Sequence, residues 1–526
     1  MINNPILPGF HPDPSIVRVG NDYYLANSTF EWFPGVPIHH SRDLMNWRLI
    51  GHALTRRSQL DLRGVPDSGG VWAPSLSHHD GQFWLIYTNL RNTGLGRPFK
   101  DIKISLTTAT EISGPWSDPI ELNSIGFDPS LFHDDDGRKW LVNMEWDFRK
   151  GRYRFAGIVI QEYHHAQRKL IGPTHKILQK DRILTEGPNL YKRDGFYYLM
   201  LAEGGTSWNH GISMARARVI TGPYELDPQH SVITARDDYS LALQKAGHGE
   251  IVQTQAGEWY LAHLASRPIS PERRCNLGRE TCLQKVEWSK EGWLRLAGGG
   301  HQPQNTWPAP AGLSPNPWPA APVRDHFDAD KLDVSWSSLR VPAEEAWLSF
   351  KPRPGWLRLA GRESQHSPLE QSFVAKRQRH FRCSVETCLE FSPTHFTQMA
   401  GLMCYYNARN QFYLRVTHDE IKGKVVGITL TDNGSYDELG GDLAVNDWPQ
   451  IFLRAELDHE RLQFSASPDG KAWQKIGPVL DASKLSDDYG PGFTGSMLGL
   501  CAQDLGGTRA VADFDYFDYR GADSKP

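Results

Sequence analysis

No stretch of this sequence approaches the roughly 20 consecutive apolar residues that a membrane-spanning helix needs. The opening segment "MINNPILPGFHPDPS" has no basic patch followed by an apolar run, so no secretion signal is expected. A formal net charge of −4 over 526 residues leaves no basic surface to attract nucleic acid or anionic lipid. Cysteine is scarce: Cys275, Cys282, Cys383, Cys388, Cys404 and Cys501 form neither a disulfide framework nor a zinc spacing. They read as free thiols in a reducing compartment, and a soluble cytoplasmic protein is expected. Sustained 3.6-residue periodicity is missing, which argues against a helical layer. Phosphate-cradling glycine loops and a Gly-x-Ser-x-Gly elbow are missing too. Asp134, Asp135 and Asp136 lack the alternation of a calcium loop and read as a hairpin turn.

What the sequence has instead is aromatic residues and a repeat. Trp, Tyr and Phe make up 11% of the chain, and their flat apolar faces suit sugar rings as well as β-cores. Five units share one pattern: "DPSIVRVGNDYYLANST", "APSLSHHDGQFWLIYTN", "DPSLFHDDDGRKWLVNME", "GPNLYKRDGFYYLMLAE" and "GEIVQTQAGEWYLAHLA". Their apolar anchors are Ile16, Leu76, Leu131, Leu190 and Ile251, spaced by 60, 55, 59 and 61 residues. A short apolar strand, a polar turn and an aromatic–aliphatic strand make a hairpin. The rest of each period accommodates two more strands, with Trp47, Trp116 and Tyr224 marking outer strands. Four-stranded units repeated around an axis form a propeller, here with five blades over residues 1–297.

From about residue 298 the composition changes. Residues 298–324 hold seven prolines and read as a stiff connector. Residues 325–526 return to strand alternation, with hairpin turns at Asp432-Asn433-Gly434 and Asp469-Gly470. The expectation is an all-β chain: a five-bladed β-propeller followed by a C-terminal β-sandwich of jelly-roll or concanavalin-like type.

The innermost strands of a propeller begin at the central axis, so equivalent positions converge there. Three residues before the anchors stand Asp13, Ala73, Asp128, Gly187 and His248, with Trp72 and Glu186 directly before two of them. A lone Asp-Pro-Ser usually caps a turn, and a lone Glu before Gly-Pro is usually a solvated loop residue. Capping residues have no cause to fall in register with a common axis, and like charges brought together repel. Glycosidic hydrolysis needs two carboxyl groups on opposite sides of a sugar, one of them protonated near neutral pH. The ring supplies that pair and a third carboxylate to raise the acid's pKa. Trp72 and Phe30 would offer apolar faces to the sugar.

At these residues the chain resembles glycoside hydrolase family 43, specifically its two-domain β-xylosidases. The motifs are "HPDPS", "GVWAPS", "GFDPS", "LTEGPN", "QKAGHGEIV", "LGRET", "GFTGSMLGLCAQD" and "ADFDYFDY", in order and over essentially the whole chain. The resemblance implies an exo-acting, inverting enzyme that releases D-xylose from the non-reducing ends of β-1,4-xylo-oligosaccharides. It implies Asp13 as general base, Glu186 as general acid, and Asp128 as the residue that tunes the acid. Phe30, Trp72, His248 and Arg279 would line the sugar pocket, and Phe493 would lean over its mouth from the second domain. A homo-oligomer (dimer or tetramer) is implied, as is a divalent cation such as Ca2+ on the axis near His248, although no cofactor is expected to be required. The family pattern often has His where this chain has Asn189. Three other readings stand beside this one: mainly an α-L-arabinofuranosidase, a fructan-cleaving hydrolase of similar architecture, or a carbohydrate-binding propeller without turnover.

Overall fold

The computed structural model describes residues 1–93, 98–180, 182–269 and 271–522. They form five small antiparallel sheets of four or five strands, a two-stranded ladder and two large eight-stranded sheets, with a single short 3-10 turn at Ala482–Lys484. The all-β expectation holds: short runs rich in β-branched and aromatic residues form strands, many of them buried along their whole length, as in Gly35–Ser41 and Met497–Asp504.

Each small sheet is one blade and runs outward in chain order. The innermost strands are Ser15–Val19, Ser75–His79, Gly126–His133, Thr185–Arg193 and Gln244–Gln253. Each pairs with the next strand through the expected hairpin. The turn read at Asp134–Asp136 does connect two strands of blade three. Asp134 does more than turn the chain there: its buried carboxylate accepts from Lys192 Nζ at 2.6 Å and the Tyr197 hydroxyl at 2.8 Å in blade four.

The anchors fill the space between blades, and polar side chains stitch neighbours together near the axis. Glu250 of blade five accepts from the Ser15 hydroxyl at 2.5 Å and the Ile16 amide at 2.8 Å in blade one. The Ser15 hydroxyl also accepts from the Leu76 amide of blade two. Ser130 of blade three donates to the Pro188 carbonyl of blade four, and the Ile251 amide donates to the Tyr191 hydroxyl. Among the described residues no strand is shared between the first and last blades, so these bonds, with Asn27 to Thr281 at 3.0 Å and the bridge of Leu7 to Thr281, help close the ring.

The proline-rich segment does not stand free of the propeller. Thr306–Trp307 pairs with Ile2–Asn3, and Arg48 stacks over Trp318. Beyond it the two large sheets enclose a core of their own, with Trp336, Leu359, Leu402, Leu453, Phe464 and Phe514 inside. The sandwich and propeller also share a sheet. The two-residue strand Trp32–Phe33 pairs with Ser337–Leu339 and extends one sandwich sheet into the first blade. Trp32 is fully buried there, 5.7 Å from Phe373 and 5.9 Å from Tyr405 between ring centroids.

Burying three aromatic rings across the junction, each worth about 2–3 kcal/mol by area, ties the stability of one part to the other. Calorimetry of the intact chain should therefore show one cooperative unfolding transition. Two transitions well separated in temperature would contradict a shared core.

Candidate active site

The sequence register singled out Asp13, Asp128, Gly187 and His248, and the backbone gives these positions a common geometry. Their φ angles are 51°, 52°, 55° and 36°, all left-handed, whereas Ala73 keeps ordinary backbone. In blades three to five the pairing register slips across this point, so the inner strand kinks and turns a side chain toward the axis. Each left-handed non-glycine residue costs ~1–3 kcal/mol and persists only where surroundings enforce it. Gly187 has a further reason to be glycine: a Cβ there would stand 3.1 Å from the His248 ring. A proline follows four of the five positions, and having no N–H it leaves no buried donor unpaired beside the axis.

The three carboxylates converge and are buried, at 5% exposure for Asp13, 7% for Asp128 and 8% for Glu186. Their environments differ sharply. Asp13 accepts from Arg279 Nη1 at 2.7 Å and from the Ser28 hydroxyl, and His248 Nδ1 lies 3.8 Å away. Burial works to raise its pKa, but Arg279, His248 and Ser28 outweigh it and hold the carboxyl below its ordinary value. Among the described residues Asp128 accepts only from the Gly187 amide, at 3.2 Å. Burial, then the charges of Glu186 and Asp13, push it well above the usual carboxylate range. Glu186 is raised to about 7 by burial and by Asp13, against the opposing pull of Arg279 and Lys100. One buried cluster thus holds an ionised carboxylate and a carboxyl poised to give up a proton near neutrality, the pairing that acid–base chemistry needs.

The predicted sugar-facing residues surround this pair. Phe30 and Phe493 stack with centroids 6.0 Å apart, and Trp72 meets Phe493 edge-on at 5.7 Å. Arg279 lies over the rings of Phe30 and Phe493 and donates from Nη2 to the Phe493 carbonyl at 2.9 Å. Phe493 therefore does reach the propeller from the sandwich. His248 sits behind Asp13, and burial first of all lowers its pKa, favouring the neutral imidazole.

Sequence reasoning missed several residues. Ser68 is bonded three ways: its amide donates to Glu31 at 3.0 Å, its carbonyl accepts from Trp72 Nε1 at 2.8 Å, and its hydroxyl accepts from the Phe493 amide at 2.9 Å. It lies in the loop before blade two, outside the repeat, where no register could flag it. Lys100 places Nζ 5.0 Å from the centre of the Trp72 ring and 4.8 Å from that of Trp146, with its pKa pushed down to about 8 chiefly by burial. Phe127, Trp146 and Phe155 continue the aromatic wall beside it. Asn189, the departure from the family pattern, donates to the Gly249 carbonyl at 3.3 Å.

The expected cation finds little to hold it. Below Asp128 and His248 a narrow axial cavity is rimmed by Pro14, Pro74, Pro129 and Pro188, with Ser15, Ser75 and Asn189. Among the described residues no three His, Cys, Asp or Glu side chains converge as metal ligands. One imidazole and one carboxyl of raised pKa fall short of the oxygen-rich shell that Ca2+ gathers directly. The residues present do not fit a cation bound directly by protein side chains.

Known proteins resemble this chain over both of its parts. The model of glycosyl hydrolases family 43 matches residues 2–294, and that of the beta xylosidase C-terminal concanavalin A-like domain matches residues 324–520. The chain is 47% identical to a xylosidase/arabinosidase of Humicola insolens, covering 99% of this chain and 97% of that one. It is 45% identical to a beta-xylosidase of Bacillus subtilis, with 99% of both covered. The solved structure of a xylan beta-1,4-xylosidase from Bacillus halodurans superposes with a TM-score of 0.97 at 53% identity, covering 99% of this chain and 100% of that one.

The electrostatics of the pair are open to measurement. Carboxylate NMR should show Glu186 titrating near pH 7, protonated below and ionised above. Lys100→Met removes one of the two cations opposing its protonation, so the midpoint should move up. A midpoint that stays put or falls would refute the assignment of Lys100 as an electrostatic neighbour of Glu186.

Proposed function

We propose that this chain, which belongs to glycosyl hydrolases family 43, is an exo-acting β-xylosidase that inverts configuration. It would release D-xylose from the non-reducing ends of β-1,4-xylo-oligosaccharides. The observation that carries the reading is the opposed state of two carboxyls in one buried cluster, Asp13 held below its ordinary pKa by Arg279 and Glu186 raised to about 7.

In this reading Asp13 takes a proton from water, and that water attacks the anomeric carbon from the face opposite the leaving group. Glu186 donates its proton to the glycosidic oxygen as the bond breaks. Asp128, neutral in the resting site, would limit the negative charge in the cavity and hold the Gly187 backbone through its bond to the amide, fixing Glu186 beside it. Arg279 keeps Asp13 ionised and aimed, and His248 supports Asp13 from the far side. Phe30, Trp72 and Phe493 would pack on the faces and edge of the terminal sugar. Because the Phe493 wall closes one end, a sugar could enter only from a chain terminus, which is the basis for proposing exo action.

A second activity on α-L-arabinofuranosides has specific support, since a relative at 47% identity is named for both sugars. We also place the protein in the cytoplasm, because six buried, unbridged cysteines suit a reducing compartment. The dimer or tetramer of the family resemblance belongs to the same reading.

Purified protein should turn over xylobiose faster than an arabinofuranoside of matched leaving group, and NMR should show α-xylose as the first-formed sugar. Asp13→Ala should lose ~10²–10⁴-fold or more on every substrate. Glu186→Ala should lose as much on xylobiose but far less on a nitrophenyl xyloside, whose leaving group needs little protonation. Equal losses on both would remove Glu186 from the acid role. Exhaustive treatment with a chelator should leave turnover within about twofold, as expected where no side-chain shell holds a metal. Loss of activity restored by Ca2+ would overturn the proposal that no cofactor is required.

A further inference from the structure

We infer that Phe99 and Phe148 form a binding site for a second leaving-group sugar, outside the pocket for the terminal xylose. This rests on the β-xylosidase reading and extends it to chains of three units or more.

The direction in which the leaving group points follows from where the two carboxyls are held. Asp13 is held by Arg279, Ser28 and His248, on the side of blades one and five. Glu186 stands instead against blade three: Gly187 beside it bonds Asp128, and Phe127, which precedes Asp128, packs on Trp72 and Trp146. The acid must face the glycosidic oxygen, so the sugar beyond that oxygen lies toward blades two and three.

The aromatic wall runs the same way and becomes steadily more exposed. Trp72 is 9% exposed, and Trp146 and Phe155 beyond it are half-buried. Phe99 and Phe148 come last, at 62% and 52% exposure with ring centroids 5.1 Å apart. Covalent neighbours fix their place: Phe99 precedes Lys100, and Phe148 follows Trp146 by two residues. Trp146 Nε1 donates to the Pro98 carbonyl at 2.8 Å and ties the two segments together.

A single exposed phenylalanine calls for no explanation. Two in ring contact, at the outer end of an aromatic run that starts beside a catalytic carboxyl, form an exposed platform. A xylopyranose ring suits such a platform, since it lacks the hydroxymethyl group of hexoses and presents flat C–H faces. Arg149, paired with Asp147, and Arg154 supply donors at the rim for sugar hydroxyls.

The test compares xylotriose, which would reach this site, with xylobiose, which would not. In the full-length Phe99→Ala, Phe148→Ala double variant, kcat/KM for xylotriose relative to xylobiose should fall about three- to tenfold against the parent, the scale of one lost aromatic contact. Phe148→Tyr, which keeps the ring, should preserve the ratio. An unchanged ratio in the double variant would overturn the site while leaving the β-xylosidase reading intact. A variant that changes oligomeric state with its ratio unchanged would also overturn it, assigning the pair to an interface between copies. A parent enzyme that cleaves neither oligosaccharide would instead defeat the underlying reading.

Discussion

Asp13 and Arg279 meet at 2.7 Å in surroundings that leave them 5% and 1% exposed, and their pairing organises what lies around it. Burying an ion pair costs several kcal/mol per ion before attraction repays it, so a chain gains little stability by doing so. What the pair does supply is asymmetry. With Arg279 committed to Asp13, the second and third carboxyls meet burial and the Asp13 charge without an equal cation of their own. One group is thereby kept ionised and its neighbours are driven toward protonation by the same charge. Arg279 also spans three parts of the molecule. Its backbone carbonyl accepts from the His11 amide of the first blade, its Nη1 holds Asp13, and its Nη2 holds the Phe493 carbonyl of the sandwich.

Ser68 plays the complementary part on the apolar side. Its amide, carbonyl and hydroxyl fix Glu31, Trp72 and Phe493, so one residue sets the relation between two walls of the pocket. Glu31 is itself raised to about 8 by burial and by Asp67, with Arg340 opposing. Arg340 comes from the sandwich and donates to the Val65 carbonyl at 2.6 Å and to Asp67 at 2.7 Å. The sandwich therefore does more than append a second core. It holds the loop before blade two and contributes Phe493, so the pocket is complete only when both parts are in place.

How much of this could be read from residues alone depended on repetition. The register of five apolar anchors carried Asp13, Asp128, Glu186 and His248 to one axis, and the left-handed kink shared by four blades is the backbone cause. That kink was legible only as a phase, because a single Asp-Pro-Ser is an ordinary turn signal. Arg279 and Phe493 lie outside the repeated hairpins and were reached through family resemblance. Ser68 and Lys100 were reached by neither route. Each sits on a connection or strand start whose position is fixed by long-range packing, Ser68 by the sandwich and Lys100 by Trp72 and Trp146. The sheet shared across the junction was equally hidden, since Trp32–Phe33 is too short a strand to leave a pattern.

The strain in the ring bears on why a propeller suits this chemistry. Left-handed backbone at Asp13, Asp128 and His248 would unravel on an isolated hairpin, where ~1–3 kcal/mol apiece exceeds what a two-stranded unit can supply. In the ring each kink is gripped from both sides, as Ser15 is by Glu250 and Leu76, and Asp128 by Gly187 of the next blade. Closure turns five weak hairpins into one over-determined frame. Repulsion among carboxylates can then be spent on shifting pKa values and not relieved by the side chains moving apart. A more compliant scaffold would let Glu186 drift toward solvent, its pKa would return toward the ordinary carboxylate value, and the proton needed at the leaving oxygen would be gone at neutral pH.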